Sequence, residues 1–181
     1  MEIRIDNLRD RPRKLVFEEP VEAFPLLREL AEQGAVVFSG NVSADLVATL
    51  AGALVEVDGQ LSCKVHLACS RCLQPVEQLL DLQVALSFSR QAPAAAETGG
   101  EVELTEEEVG LIGFEGDVID LRSPLEQELL MGLPQHPLCT DECKGLCPVC
   151  GADLNLNRCD CPPPVLHVGL AALRGFKAAK D

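Results

Sequence analysis

The sequence contains no tryptophan and no tyrosine, which leaves six phenylalanines to supply its large aromatic side chains. A core built from it must be aliphatic. No apolar run approaches the roughly 20 residues that span a bilayer, so no membrane partner is expected. The first residues, Met1-Glu2-Ile3-Arg4-Ile5-Asp6, alternate charged and apolar side chains and lack the apolar stretch of a secretory signal. A cytoplasmic, reducing location is therefore expected. Basic side chains are few: 15 Lys and Arg stand against 29 Asp and Glu, for a formal charge of −14. Such a chain is repelled by phosphate backbones over most of its surface. Extensive direct RNA binding is disfavoured, and a basic protein partner is easier to accommodate. Two local exceptions, Arg9/Arg11/Arg13/Lys14 and Arg174/Lys177/Lys180, read as a solvated loop and a solvated helix face. No Ser-His-Asp pattern, P-loop or dinucleotide fingerprint is present, and no small-molecule substrate is expected.

Cysteine, by contrast, is abundant. Nine occur in 181 residues, and eight fall in close pairs: Cys69-x-x-Cys72, Cys139-x-x-x-Cys143, Cys147-x-x-Cys150 and Cys159-x-Cys161. A pair one to three residues apart can aim two thiolates at one metal ion, and four pairs suffice for two tetrahedral four-thiolate sites. In a reducing compartment such pairs bind metal more often than they form disulfides. Spacing suggests a partition. Cys147, Cys150, Cys159 and Cys161 form a self-contained zinc-knuckle pattern in which Gly151 permits a tight turn. Cys159-x-Cys161 is its least usual element. Cys69 and Cys72 are then left to meet Cys139 and Cys143, and a metal there would close the long loop of residues 73–138. Zinc is the first expectation and iron the second, because four thiolates suit both. With enough thiolates to close each site, no open catalytic position is expected. His136 could substitute as a ligand or stand beside the site. His66 and His167 read as surface residues, and the Glu106-Glu107-Glu108 run as solvated.

The remaining pattern predicts an α+β fold: a twisted antiparallel sheet with a few short helices and a cysteine-rich C-terminal lobe. Residues 2–6 read as a strand. Residues 21–33 read as a helix with Pro25 in its first turn and Gly34 at its end. Residues 35–57 read as two strands. Val55, Val57, Leu61, Cys63, Val65, Leu67 and Cys69 share one parity against polar neighbours, which fits a half-buried strand or a hairpin turning at Asp58-Gly59. On that parity Cys63 is a core residue and no ligand. Leu80, Leu82, Val84, Leu86 and Phe88 form a second alternating run. The two runs flank Cys69–Cys72, which places that pair at a hairpin tip. Residues 90–100 read as a mobile low-complexity loop, and strands are expected near 101–104 and 116–121. Ser123-x-x-Glu126 has the form of a capping box opening a helix that ends near Gly132. A terminal helix is expected over 165–178. The domain layout is a core over 1–134, a metal-binding lobe over 135–164 packed on the Cys69/Cys72 hairpin, and a tail over 165–181.

Cys69-Ser-Arg-Cys72-Leu73, Asp120-Leu121, Leu133-Pro134, the run Cys143-Lys-Gly-Leu-Cys147-Pro-Val-Cys150-Gly-Ala-Asp-Leu-Asn and Cys159-Asp-Cys161 together resemble the bacterial YceD family. The run from Cys143 to Gly151 is the specific part. The resemblance implies a role in accumulation of large-subunit ribosomal RNA. Family genes tend to lie beside one for a small large-subunit ribosomal protein, and no enzymatic activity is established for the family. Shorter members lack the last four cysteines, which implies that Cys69/Cys72/Cys139/Cys143 is the older site. The expected function is a non-enzymatic ribosome-biogenesis factor with two structural zinc sites. Its partner would be a basic large-subunit ribosomal protein or pre-ribosomal particle. The alternatives are a redox or iron–sulfur thiolate protein and a zinc-ribbon nucleic-acid-binding module.

Overall fold

The structure, a computed structural model, describes residues 1–8, 11–34, 36–90, 110–162 and 169. The elements run β1 (Glu2–Arg4), a 3-10 turn (Ile5–Leu8), β2 (Arg13–Pro20), a second 3-10 turn (Val21–Ala23), α1 (Pro25–Glu32), β3 (Val37–Ala51), β4 (Leu54–Ala68), β5 (Pro75–Ser89), β6 (Leu111–Gly113), β7 (Val118–Asp120) and α2 (Arg122–Met131). Among the described residues strands dominate and two α-helices accompany them, an α+β arrangement. Residues 91–100 of the loop expected over 90–100, the strand over 101–104, the terminal helix over 165–178 apart from Gly169, the Glu106–Glu108 run and His167 lie outside the described residues. So do Arg9, Arg174, Lys177 and Lys180.

The chain divides into two compact units, Met1–Leu67 with Pro75–Gln135, and Ala68–Gln74 with His136–Asp181. In the first unit β2-β3-β4-β5-β6 form one sheet, and β1 pairs with β7 in a second, two-stranded one. The large sheet is mixed. β2 and β4 run antiparallel to β3, but β6 runs parallel to β5, which corrects the expected all-antiparallel sheet. The residues between β5 and β6 are enough for the crossover a parallel pair requires.

Strand parity places the core. Val42, Ala44, Leu46 and Ala48 of β3, Val55, Val57, Leu61, Cys63, Val65 and Leu67 of β4, and Leu80, Val84, Leu86 and Phe88 of β5 are buried in one cluster with Leu27 of α1 and Leu125 and Leu129 of α2. Each Val, Leu or Phe among them contributes about 1.5–3 kcal/mol. Cys63 is 1% exposed within this cluster, a core residue as parity implied.

Residues 54–68 are one continuous strand, so the hairpin alternative at Asp58-Gly59 does not form. The chain reverses earlier, at Gly52-Ala53, where Ala51 pairs with Leu54. Gly59 lies opposite Leu46, and a Cβ there would run into the Asp45 carbonyl oxygen. This glycine serves close approach of two strands, and no turn is involved.

The helix expected over 21–33 splits into the short 3-10 turn and α1. Pro25 stands at the first helical position, where its missing N–H costs nothing. Gly34 follows with φ +74°. The Ser123 capping box does not form: α2 starts at Arg122 without a side-chain cap. Glu126 is committed elsewhere. It is 3% exposed, and its Oε1 accepts the Leu26 and Leu27 amides at 2.6 and 3.1 Å. The N-terminus of α1, whose own Phe24 offers no polar cap, is thus capped by a carboxylate on another helix.

Candidate metal centres

The second unit is organised around two backbone knuckles with the same hydrogen bonds. In one, the Cys69 amide donates to the Gln74 carbonyl (2.8 Å) and the Leu73 amide to the Cys69 carbonyl (2.9 Å). In the other, the Cys147 amide donates to Ala152 (2.8 Å) and the Gly151 amide to Cys147 (2.9 Å). The fourth residue after each first cysteine is left-handed: Gly151 at φ +73° and Leu73 at φ +61°. Glycine takes that conformation freely, whereas leucine does so at a cost of about 1–2 kcal/mol.

Hydrogen bonds bring the remote cysteines to the first knuckle. The Ser70 amide donates to Pro137 (2.8 Å), and Leu146 donates to the Arg71 carbonyl (3.0 Å). The Arg71 guanidinium donates to the Cys143 carbonyl at 2.8 Å. Gly145 sits against Arg71 at φ +74°, where a Cβ would lie 2.9 Å from the Arg71 carbonyl oxygen.

The result is two tetrads, Cys69/Cys72/Cys139/Cys143 and Cys147/Cys150/Cys159/Cys161. Within each, all four sulfurs lie within 4.8 Å of one another. Both sets are close enough to hold a metal ion. The Cys69–Cys143 and Cys72–Cys139 sulfurs are 3.8 and 3.6 Å apart. These are too far for a disulfide at about 2.05 Å. They match the edge of about 3.8 Å that a tetrahedron with Zn–S bonds of 2.3 Å requires. The donor set therefore fits zinc. The first tetrad is the more enclosed, with three cysteines buried and Cys139 exposed. In the second, only Cys147 is buried.

The thiols are strongly perturbed. Cys69 is pulled down to about 6, chiefly by the Cys72 amide, against burial and with help from the Arg71 amide. Cys147 falls to about 6 through the Cys150 and Val149 amides. Cys143 is lowered although burial opposes it, because the Asn155 side chain and the Gly145 amide outweigh burial. The Gln74 amide acts to lower Cys72, yet burial and the sulfurs of Cys69, Cys139 and Cys143 push it up to about 12. Cys161 rises to about 12, first through Cys150 and then burial. Cys139 and Cys159 are raised too, by Cys143 foremost in the first case; in the second the Cys161 amide opposes the rise, while Cys147 and burial drive it. Four thiolates so close repel one another, and a divalent cation removes that repulsion.

Among the described histidines, none joins either tetrad. His136 is exposed, and His66 is half-buried beside Ser39 (3.1 Å) and Glu77 (3.8 Å). Cys63 points its thiol at the Lys64 carbonyl, and burial raises its pKa. Sequence reasoning missed Arg71, Gly145 and Asn155. Asn155 lies between Cys150 and Cys159, yet its Nδ2 donates to Cys143 of the other tetrad at 3.4 Å, and its Oδ1 accepts the Lys144 amide at 2.8 Å. Only the turn-forming character of Asn hinted at it.

Comparison with known proteins adds the following. The family model described as large ribosomal RNA subunit accumulation protein YceD matches residues 57–177. An uncharacterized protein of Mycobacterium bovis and two of Mycobacterium tuberculosis are each 30% identical over 127 residues, covering 63% of this chain and 58% of each relative. The chain thus spans less than two thirds of the length of those relatives. No solved structure matches it.

Proposed function

The chain belongs to the YceD family, and on that premise we propose that it is a non-enzymatic ribosome-biogenesis factor that supports accumulation of large-subunit ribosomal RNA. The family match carries the ribosomal part of this reading. The chemistry of the tetrads supports the non-enzymatic part: each offers four thiolates, the number that closes a tetrahedral structural site, where catalytic zinc keeps a position for water.

Cys69, Cys72, Cys139 and Cys143 would hold one zinc ion, and Cys147, Cys150, Cys159 and Cys161 a second. The ions would supply cross-linking and charge neutralisation. The chain's own amides at Cys72, Arg71, Val149 and Cys150 favour the thiolates that zinc requires. The site of action would be the cytoplasm, where such thiols stay reduced. The partner would be a basic large-subunit ribosomal protein or precursor particle, favoured by the formal charge of −14.

The test has two arms. Freshly purified protein should be colourless and contain about two zinc ions per chain. Cys72→Ser and Cys159→Ser should each remove one of them, Cys72→Ser with the larger loss of melting temperature. Bound iron, or a coloured protein, would replace the structural-zinc reading with an iron–sulfur one. At low salt the tagged chain should recover large-subunit components from lysate, and cells lacking it should accumulate less large-subunit than small-subunit rRNA. Unchanged rRNA together with no recovery refutes the ribosomal reading.

A further inference from the structure

In the first unit one face of the five-stranded sheet buries the core cluster, and the opposite face is open among the described residues. The open face carries side chains that water alone does not explain. Val16 on β2, Val47 on β3 and Leu79 on β5 are 68, 42 and 57% exposed. Register brings them together with carboxylates: Val16 stands opposite Asp45, Val47 lies between Lys14 and Asp58, and Leu79 is two residues from Asp81. Glu18, Ser43, Ser62 and Leu79 line a shallow depression of about 320 Å³, and Val16, Asp45, Gln60 and Asp81 line another of about 250 Å³.

The charge on this face has one dominant sign. Glu18, Asp45, Glu56, Asp58, Glu77 and Asp81 project from it, against Lys14 and Lys64. Lys14 is already bound to Asp45 at 2.8 Å. Such a face repels RNA phosphates, and it repels a second copy of itself. It also repels residues 97–108, which carry six glutamates and no basic residue. Aliphatic side chains set among carboxylates suit one kind of occupant, a segment that alternates Lys or Arg with branched aliphatics.

We propose that this open sheet face is the docking surface for a basic extended segment of a protein partner. The proposal deepens the reading above and rests on it for the partner being ribosomal; the surface itself is tested without lysate. The probe is a fluorescein-labelled peptide with Lys and Val alternating at its odd positions and Ser between them. Its binding to the zinc-loaded full chain is read by anisotropy. Glu18→Gln/Asp58→Asn/Asp81→Asn should weaken binding about tenfold, and Val47→Thr about threefold. Glu2→Gln/Glu29→Gln/Glu32→Gln, the same change of charge on other elements, should leave it within about twofold. Equal weakening by the two triple variants would make the attraction a whole-molecule effect and overturn the proposal. So would absence of peptide binding, or preferential binding of a single-stranded RNA of equal length. Arg174→Gln/Lys177→Gln/Lys180→Gln should not change the affinity; a severalfold gain would make the chain's own tail the occupant and also overturn it. A peptide that binds this face while lysate yields no ribosomal component leaves the surface standing and removes the ribosomal reading. Recovery of ribosomal components equally by the parent and the sheet-face variant does the reverse.

Discussion

Removal of Glu126 should be costly to the first unit, because two backbone amides depend on it. Its Oε1 accepts the Leu27 amide, which is buried, and the Leu26 amide, which is partly buried. Glu126→Ala leaves both donors without a partner. An orphaned buried amide costs about 1–3 kcal/mol, and one that water can reach costs less. Taking about 2 for Leu27 and about 1 for Leu26 gives a loss near 3 kcal/mol. At 181 residues this corresponds to a fall in melting temperature of about 6–12 °C. Glu126→Gln keeps a carbonyl acceptor and forfeits mainly the attraction of a negative charge to the start of α1, about 0.5–1 kcal/mol. Gln127→Ala, on the exposed side of α2, should stay within about 0.5 kcal/mol of the parent. The chain has no Trp or Tyr, so unfolding should be followed by far-ultraviolet circular dichroism, with zinc in excess throughout. If Glu126→Ala unfolds within about 0.5 kcal/mol of the parent, the capping account is wrong. If Glu126→Gln loses as much as Glu126→Ala, packing and not hydrogen bonding holds the site together.

Three further outcomes are expected. Asn155→Ala removes the donor to Cys143 and should weaken zinc at the first tetrad about tenfold in chelator competition, leaving the second tetrad near its parent affinity; a loss confined to the second tetrad would contradict the assignment. Gly151→Ala meets no atom within 4 Å and should cost only its left-handed backbone, about 1–2 kcal/mol, whereas Gly145→Ala adds a clash with Arg71 and should cost more; equal losses by thermal denaturation refute this. The Cys63 thiol is raised above the ordinary 9.0 by burial, so its contribution to stability is complete below pH 9.0 and is lost as pH rises through its folded value. Cys63→Ala should flatten that alkaline decline, and iodoacetamide at pH 8 should spare Cys63 until the chain unfolds. Modification at the rate of the denatured thiol would overturn it.

Period-two alternation was enough to identify β5 and the buried face of β4, because a strand with one buried face must alternate. The same parity put Cys63 in the core, and its lack of a cysteine within three residues set it apart from the other eight. Pro25 and Gly34 bounded α1 through backbone stereochemistry that needs no tertiary context. Gly59 misled for a related reason. Asp-Gly signals a turn locally, but the constraint here is the passage of β3 beside it, which no local pattern records. The two knuckles show the same limit in one pair of residues. Gly151 announces a left-handed position in its sequence, while Leu73 adopts the same conformation in the same hydrogen-bonded turn without any signal.

The grouping of eight cysteines into two sets of four was legible because close spacing forces paired thiols to point together, and that is a property of a few consecutive residues. How Cys139 and Cys143 reach Cys69 and Cys72 was not legible. It depends on Arg71, Ser70 and Gly145 meeting segments roughly 70 residues away, and on Asn155 crossing from one set to the other. The same holds for Glu126, which as Ser-x-x-Glu promised to cap its own helix and instead caps α1. A side chain with two feasible partners takes the one that burial leaves without water, and only the packed chain decides which amide that is.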